Sequence, residues 1–222
     1  MSENDKSIES KGDYWQSYYS RQAPLVAPLP SQFAVFVAGE LDGAHEVFDI
    51  GCGGGRDSLF FGTYSHAVTG VDGSQAAIEK CSELARTAGL ANIRFVCSPV
   101  TSDRLAESAA PSTGLPVLVY ARFFLHAITD EEEEKFFRLA RALTSGGGKL
   151  AVEFRTMRDV AQEKVTASHY RRFIDPIVFN ARALEAGFSA KYFVEGFGFA
   201  KYKHDDAHVA RFIFERVIQP NG

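Results

Sequence analysis

The stretch VFDIGCGGGRDSLFF, residues 47–61, sets four glycines and two acids between two apolar runs. Gly51, Gly53 and Gly55 form a G-x-G-x-G turn. Glycine tolerates positive φ and lets a ligand lie against bare backbone. A helix starting just after the turn aims its amides and the positive end of its dipole at that ligand, which favours a carboxylate or phosphate. Seventeen residues past Gly55, Asp72 ends another apolar run, where its carboxylate can accept the protons of both ribose hydroxyls. A second group of reactive types lies further along: Arg122 and His126, then Glu153 and Arg155. Histidine titrates near neutrality and suits a general base. Arginine presents a planar fork that fits a carboxylate or phosphate. His126, Arg122 and Glu153 are therefore the candidate catalytic groups, with Glu153 equally suited to ion-pair with Arg122 or Arg155. The segment SHYRRFIDP, residues 168–176, adds His169, Tyr170, Arg171 and Arg172 as a second cationic cluster. His204, Asp205, Asp206 and His208 read as a polar hairpin turn, and no metal site is expected.

Alternating elements position these groups. Ser31 can cap a helix with Phe33, Phe36, Val37 and Leu41 on one face. Val47–Ile50 reads as a buried strand, followed by a helix from about Arg56 and a strand over residues 67–71. Ser74 caps the next helix, which Gly89 ends. Strands at 93–97, 117–120 and 149–154 follow, with a helix from Thr129 to Leu143 between the last two. Strands alternating with helices imply a mostly parallel sheet covered on both faces. A helix beginning at Asp175-Pro176 precedes two long apolar-aromatic runs, AKYFVEGFGFAKY and HVARFIFERVI, which predict an antiparallel hairpin. In an open sheet of this kind the pocket lies off the carboxyl ends of the strands, where the candidate residues cluster.

The composition bounds the answer. A chain of 222 residues, 45% hydrophobic and 23% charged, suits one α/β domain. The formal net charge of −4 speaks against a nucleic-acid partner, and no apolar run is long enough for a membrane helix. Residues 1–13 read as a disordered leader without a secretory signal, and three cysteines without a framework spacing suggest a cytoplasmic protein. Residues 14–222 read as a single domain. Within it, 14–30 is an aromatic lid or strap carrying Tyr14, Trp15, Tyr18 and Tyr19, and 155–175 is a basic substrate insertion.

Two cofactors suit the glycine turn, a dinucleotide and S-adenosylmethionine. The dinucleotide fingerprint places its third glycine where this chain has Arg56. With FDIGCGGGRDS, TGVDGS and LVYARFFLHAITDEEEEKFFRLARALTSGGGKLAVEF in order, the chain resembles class I S-adenosylmethionine-dependent methyltransferases over residues 30–218. The resemblance implies a Rossmann-like α/β domain with a mostly parallel seven-stranded sheet and an antiparallel C-terminal hairpin. It places Gly51, Gly53 and Gly55 along the methionine part of S-adenosylmethionine, with Cys52 as a small apolar filler. Asp49 would hold the turn or reach the amino group, Asp72 would bind the ribose, and Gly73 or Ser74 would flank the adenine. The family's usual acid after the third strand is replaced by Ser98-Pro99, so Ser98, a backbone carbonyl or Asp103 would meet the adenine. Tyr120, at the end of the fourth strand, is also placed at the cofactor.

Methyl transfer needs alignment and exclusion of water more than it needs acid-base chemistry. A hydroxyl or ammonium acceptor requires a base, whereas an anionic acceptor does not. With His126 as base, and Arg122, Arg155, Arg171 and Arg172 as anion-recognising groups, the expectation is O-methylation of an anionic or sugar-like small molecule. The alternatives are N-methylation of a small amine or heterocycle, and a non-catalytic protein that binds the cofactor. Either a monomer or a homodimer is compatible with the sequence.

Overall fold

The computed structural model describes residues 13–20, 29–102, 104–160, 170–202 and 205–218. A short aromatic helix, α1 (13–20), is followed by α2 (Gln32–Gly39), β1 (Glu46–Ile50), α3 (Arg56–Thr63), β2 (Ala67–Asp72), α4 (Gln75–Thr87) and β3 (Ile93–Cys97). Then come α5 (Leu105–Ser108), β4 (Val117–Arg122), α6 (Asp130–Leu143), β5 (Lys149–Arg155), α7 (Pro176–Glu185), β6 (Phe188–Tyr202) and β7 (Asp205–Arg216). The seven strands form one sheet in the order β3-β2-β1-β4-β5-β7-β6. Strands β1 to β5 run parallel, and β7 lies antiparallel between β5 and β6. The order reverses between β1 and β4, which opens a crevice at their carboxyl ends.

Local chemistry accounts for the element boundaries. Every residue of β1 is buried, as a central parallel strand requires. Ser31, Ser74 and Asp175 each accept a hydrogen bond from the first turn of the helix they cap. Thr129 and Glu132 form a reciprocal capping box, and four acids follow in the first turn of α6, where the helix dipole favours them. One face of the sheet buries Phe48, Val119, Phe136, Phe154, Phe179 and Phe212 beneath α6 and α7. The other buries Phe33, Val47, Phe61, Tyr120 and Ile213 beneath α2 and α3.

The structure departs from the sequence expectations at several boundaries. Arg122 and Arg155 are the last residues of β4 and β5, one or two positions beyond the expected strand ends. The aromatic segment begins as a helix, and Asp13 is already helical where the leader was expected to continue. The four-residue helix α5 has no counterpart in the sequence reading. Its short run LAES carries too little periodicity to announce itself. Residues 1–12 and the part of the basic insertion at 161–169, including His169, lie outside the described residues, as do Asp103 and His204.

Candidate active site

The glycine turn leaves β1 at the crevice. Gly51, Gly53 and Gly55 adopt φ of 75°, 52° and 74°, angles that a β-carbon makes costly. Side chains press on the turn as well. A β-carbon at Gly51 would run into the Phe124 ring, one at Gly53 into the Tyr19 hydroxyl, and one at Gly55 into the Cys81 sulfur. The amides of Gly51 and Cys52 donate to the Val71 carbonyl at 2.8 and 3.0 Å, which ties the turn to β2. The Gly53 amide donates to Asp72 Oδ2 at 2.9 Å, and the Ser74 amide donates to Oδ1 at 2.8 Å. Burial raises the Asp72 carboxyl above the ordinary range, against the pull of those amides. Beyond Asp72 the position of Gly73 is open, with nothing within 4 Å of where a β-carbon would stand. Ser98 is anchored rather than aimed: its amide donates to the Asp72 carbonyl at 2.9 Å and its hydroxyl to the Pro99 carbonyl at 3.2 Å. Cys52 is buried, and its contact with Cys81, together with burial, raises its thiol well above the ordinary value, as fits a small filler.

Beneath the turn lies a polar cluster built around Asp57, a residue that sequence reasoning did not single out. Asp57, in the first turn of α3, accepts the Ser31 amide and hydroxyl at 2.8 Å each and the Tyr120 hydroxyl at 2.9 Å. Asp49 accepts the Ser58 hydroxyl at 2.6 Å. Burial first, and the neighbouring Asp57 second, push the Asp49 carboxyl up to about 7. Tyr120 is wholly buried within this cluster, stacked on Phe33, so its phenol holds Asp57 rather than reaching into the crevice. An acid in a helix's first turn is ordinary, and nothing in its spacing marked Asp57 as the tie between α2, α3 and β4.

Helix α1 bridges the two turns of the crevice. The Gln16 Oε1 accepts the Ser74 hydroxyl at 3.0 Å and the Ala76 amide at 3.3 Å, while Tyr19 lies against Gly53. Burial and Asp72 raise the Tyr19 phenol well above its ordinary value. Tyr14, Trp15, Tyr18 and Tyr19 pack on one another with ring centroids 5.0–6.2 Å apart. Tyr19 thus belongs to the glycine turn, where the sequence reading had placed it with the acceptor.

On the other side of the crevice the arginines are matched by carboxylates. Glu153, fully buried, lies 2.8 Å from Arg122 and 2.6 Å from Arg211. Burial opposes the Arg122 charge, but Glu153 holds the guanidinium above its ordinary value. Arg155 is buried against Asp159 at 2.6 Å and Asp205 at 2.7 Å. Arg172 pairs with Asp130 and Glu133 and donates its amide to the His126 carbonyl at 2.7 Å. Arg155 and Arg172 are therefore structural ion-pair partners and not open anion clamps. Burial and the nearby Arg155 lower the Arg171 guanidinium from its ordinary value. Burial raises the half-buried Tyr170 phenol. In the hairpin, Asp206 accepts the Gly198 amide at 2.7 Å and His208 Nδ1 meets the Thr156 hydroxyl at 2.7 Å.

His126 is buried in a short 3-10 turn, with Nδ1 facing the Arg155 amide at 3.4 Å. A ring nitrogen that accepts an N–H bond leaves the neutral ring's proton on Nε2. Phe123 joins these groups. It has a φ of 54°, rare for a bulky residue, and its ring packs against Arg122 at 4.4 Å, His126 at 5.2 Å and Arg155 at 5.4 Å. Its amide donates to the Glu153 carbonyl at 2.8 Å.

The donor set fits S-adenosylmethionine. Each Asp72 oxygen carries one amide donor and keeps a lone pair for a ribose hydroxyl, next to the open position at Gly73. Residues 47–148 match a family model described as a methyltransferase domain. A search among curated proteins returns no match for the sequence. Among solved structures, a methyltransferase from Anabaena variabilis is 18% identical with a TM-score of 0.70, covering 94% of each chain. The CcbJ methyltransferase from Streptomyces caelestis is 18% identical with a TM-score of 0.68, covering 94% of this chain and 98% of its own. A 1,6-didemethyltoxoflavin-N1-methyltransferase from Burkholderia thailandensis, solved with S-adenosylhomocysteine, is 18% identical with a TM-score of 0.67, covering 98% and 92%. Residues 47–148 thus carry a methyltransferase-domain match, and the chain shares its fold with solved S-adenosylmethionine-dependent methyltransferases. Among the described residues, no helix is long and apolar enough to cross a membrane.

Proposed function

We propose that the enzyme methylates a nitrogen of a small, planar, uncharged heterocycle at the carboxyl ends of β4 and β5. The observation that carries this reading is the pairing of Arg122, Arg155, Arg172 and Arg211 with carboxylates. A site balanced in this way offers guanidinium faces and phenyl edges but little net positive charge. That favours a flat neutral acceptor over the anionic or sugar-like one expected from the residue types alone. The occupied Nδ1 of His126 adds support, because a heterocyclic nitrogen brings its own lone pair and needs no base. By its name, the Burkholderia neighbour is an N1-methyltransferase of 1,6-didemethyltoxoflavin, so its methyl acceptor is a nitrogen.

When bound, the cofactor supplies a methyl group already activated by its sulfonium. The protein's share is positioning. Asp72 and the turn amides hold the adenosine and methionine ends, and Phe123 with Arg122 forms the wall for the acceptor. Tyr19 and Gln16 of α1 close the crevice from above and keep water out. The test is acceptor profiling with a deuterated methyl donor and mass detection across three sets: neutral nitrogen heterocycles, carboxylated phenols, and sugars. Methylation confined to the heterocycles supports the reading. Transfer to carboxylated phenols or sugars instead overturns it and restores the O-directed alternative.

A further inference from the structure

Three carboxylates surround the glycine turn, and their hydrogen bonds are unequal. Asp57 accepts three donors, Asp72 accepts two amides, and Asp49 accepts the single hydroxyl of Ser58. Asp49 is only 3% exposed, so bulk solvent hardly reaches it. The groups acting on it come from every neighbouring element. Asp57 approaches from α3, with Arg56 of the same turn 3.6 Å from Asp57. Asp72 acts from β2, the Tyr120 phenol and Arg122 act from β4, and the Cys52 thiol acts from within the turn. Arg122 already serves Glu153, and Arg56 is more than a third exposed. Carboxylates crowded together at low solvent exposure do not all ionise together, and the most buried one with the fewest donors keeps its proton.

We propose that Asp49 carries a proton while the crevice is empty and releases it to solvent on cofactor binding, so that cofactor affinity rises with pH across neutrality. The inference rests on the methyltransferase reading. The carboxyl O–H bond breaks with its electron pair left on Asp49, and the proton passes to buffer. The new carboxylate then balances the ammonium and sulfonium charges brought into a low-dielectric site. The carboxyl's position at about 7 sets the pH range of the exchange.

The test is calorimetric titration of the full chain with S-adenosylhomocysteine and with S-adenosylmethionine. Each is run in two buffers of different ionisation heat. Simple titration predicts release of about 0.9 proton per site at pH 6, about 0.5 at pH 7 and about 0.1 at pH 8. Affinity rises about tenfold over the same range. Asp49→Asn keeps an acceptor for Ser58 and should bind with almost no release at any of these pH values. Asp57→Asn removes the neighbour that helps Asp49 hold its proton and should lower the release at pH 7. Wild-type binding without proton release at about pH 6, or release undiminished in Asp49→Asn, overturns the proposal. Should Asp49→Asn fail to fold, the wild-type midpoint and its shift in Asp57→Asn decide. Absence of any binding heat sinks the cofactor reading itself, and this proposal with it.

Discussion

The two halves of the crevice handle charge in opposite ways. Around the glycine turn, Asp49, Asp57 and Asp72 gather with hydroxyls and amides as their partners. Around β4, β5 and β7, Arg122 and Arg211 share Glu153, and Arg155 is held by Asp159 and Asp205. One half is left with excess negative charge suited to a cation. The other is neutralised and presents flat surfaces. On the proposed reading, a cofactor bearing an ammonium and a sulfonium suits the first, and an uncharged planar acceptor suits the second.

The sharpest way to break this contrast is to remove Glu153. Glu153→Ala strands Arg122 and Arg211 in a buried site, a loss of about 3–5 kcal/mol. A fall of many degrees in Tm is expected, with cofactor affinity in the folded fraction little changed. If the variant melts within a degree or two of wild type, the acceptor half is not held by this network. On the other side, Asp72→Ala removes the proposed ribose acceptor and the clamp on Gly53. S-adenosylhomocysteine affinity should fall roughly 100-fold, since hydrogen bonds to a charged group contribute about 1.5–3 kcal/mol each. Retained calorimetric binding would remove Asp72 from the cofactor site.

The asymmetry also predicts a stability profile. Asp49 has a folded-state value raised to about 7, above its unfolded value, so its protonated form favours the fold. Its contribution is full below the unfolded value and is lost as pH rises through about 7. Relative to Asp49→Asn, the empty wild-type protein should lose about 1.4 kcal/mol between pH 6 and pH 8. Parallel melting curves for the two proteins across that range would contradict the charge assignment. A smaller effect belongs to the cover. Gln16→Ala and Tyr19→Ala each remove one attachment of α1, and each should speed S-adenosylhomocysteine release severalfold, for a loss of about 1 kcal/mol. Stopped-flow displacement reads this directly, and unchanged release in both variants would mean that α1 does not close the crevice.

The glycine-turn half was far more legible in the sequence than the arginine half, and the reason is contact order. The turn, its following helix and Asp72 lie within one β-α-β stretch, where glycine spacing, a cap at Ser74 and strand periodicity are local signals. The cap at Ser31 and the helix starts at Thr129 and Asp175-Pro176 were readable for the same reason. On the acceptor side, Arg155 finds Asp205 fifty residues on, and Glu153 finds Arg211 fifty-eight residues on, across β5 and β7. Residue types there suggested anion binding because the matching carboxylates belong to a distant hairpin. Asp57 was missed on similar grounds, since two of its partners, Ser31 and Tyr120, lie on other elements.

The smallest effect is expected at His126, and it discriminates best between the two chemistries. As a general base, His126 would contribute about 10²- to 10⁴-fold to turnover, and His126→Gln would lose most of it. In the structure, its Nδ1 faces the Arg155 amide and its carbonyl accepts the Arg172 amide. Its ring packs edge-on to Phe123, so the residue spaces β4 from β5 and the 170–173 segment. Glutamine retains an acceptor for the Arg155 amide. The expected result is therefore a loss of no more than about threefold in kcat, an unchanged affinity for S-adenosylhomocysteine, and a pH-rate profile of unaltered shape. A hundredfold loss, with the disappearance of a limb near pH 6.5, would restore His126 as a base. It would also turn the acceptor side from a neutral wall into an acid-base site and favour a hydroxyl as the methylated group.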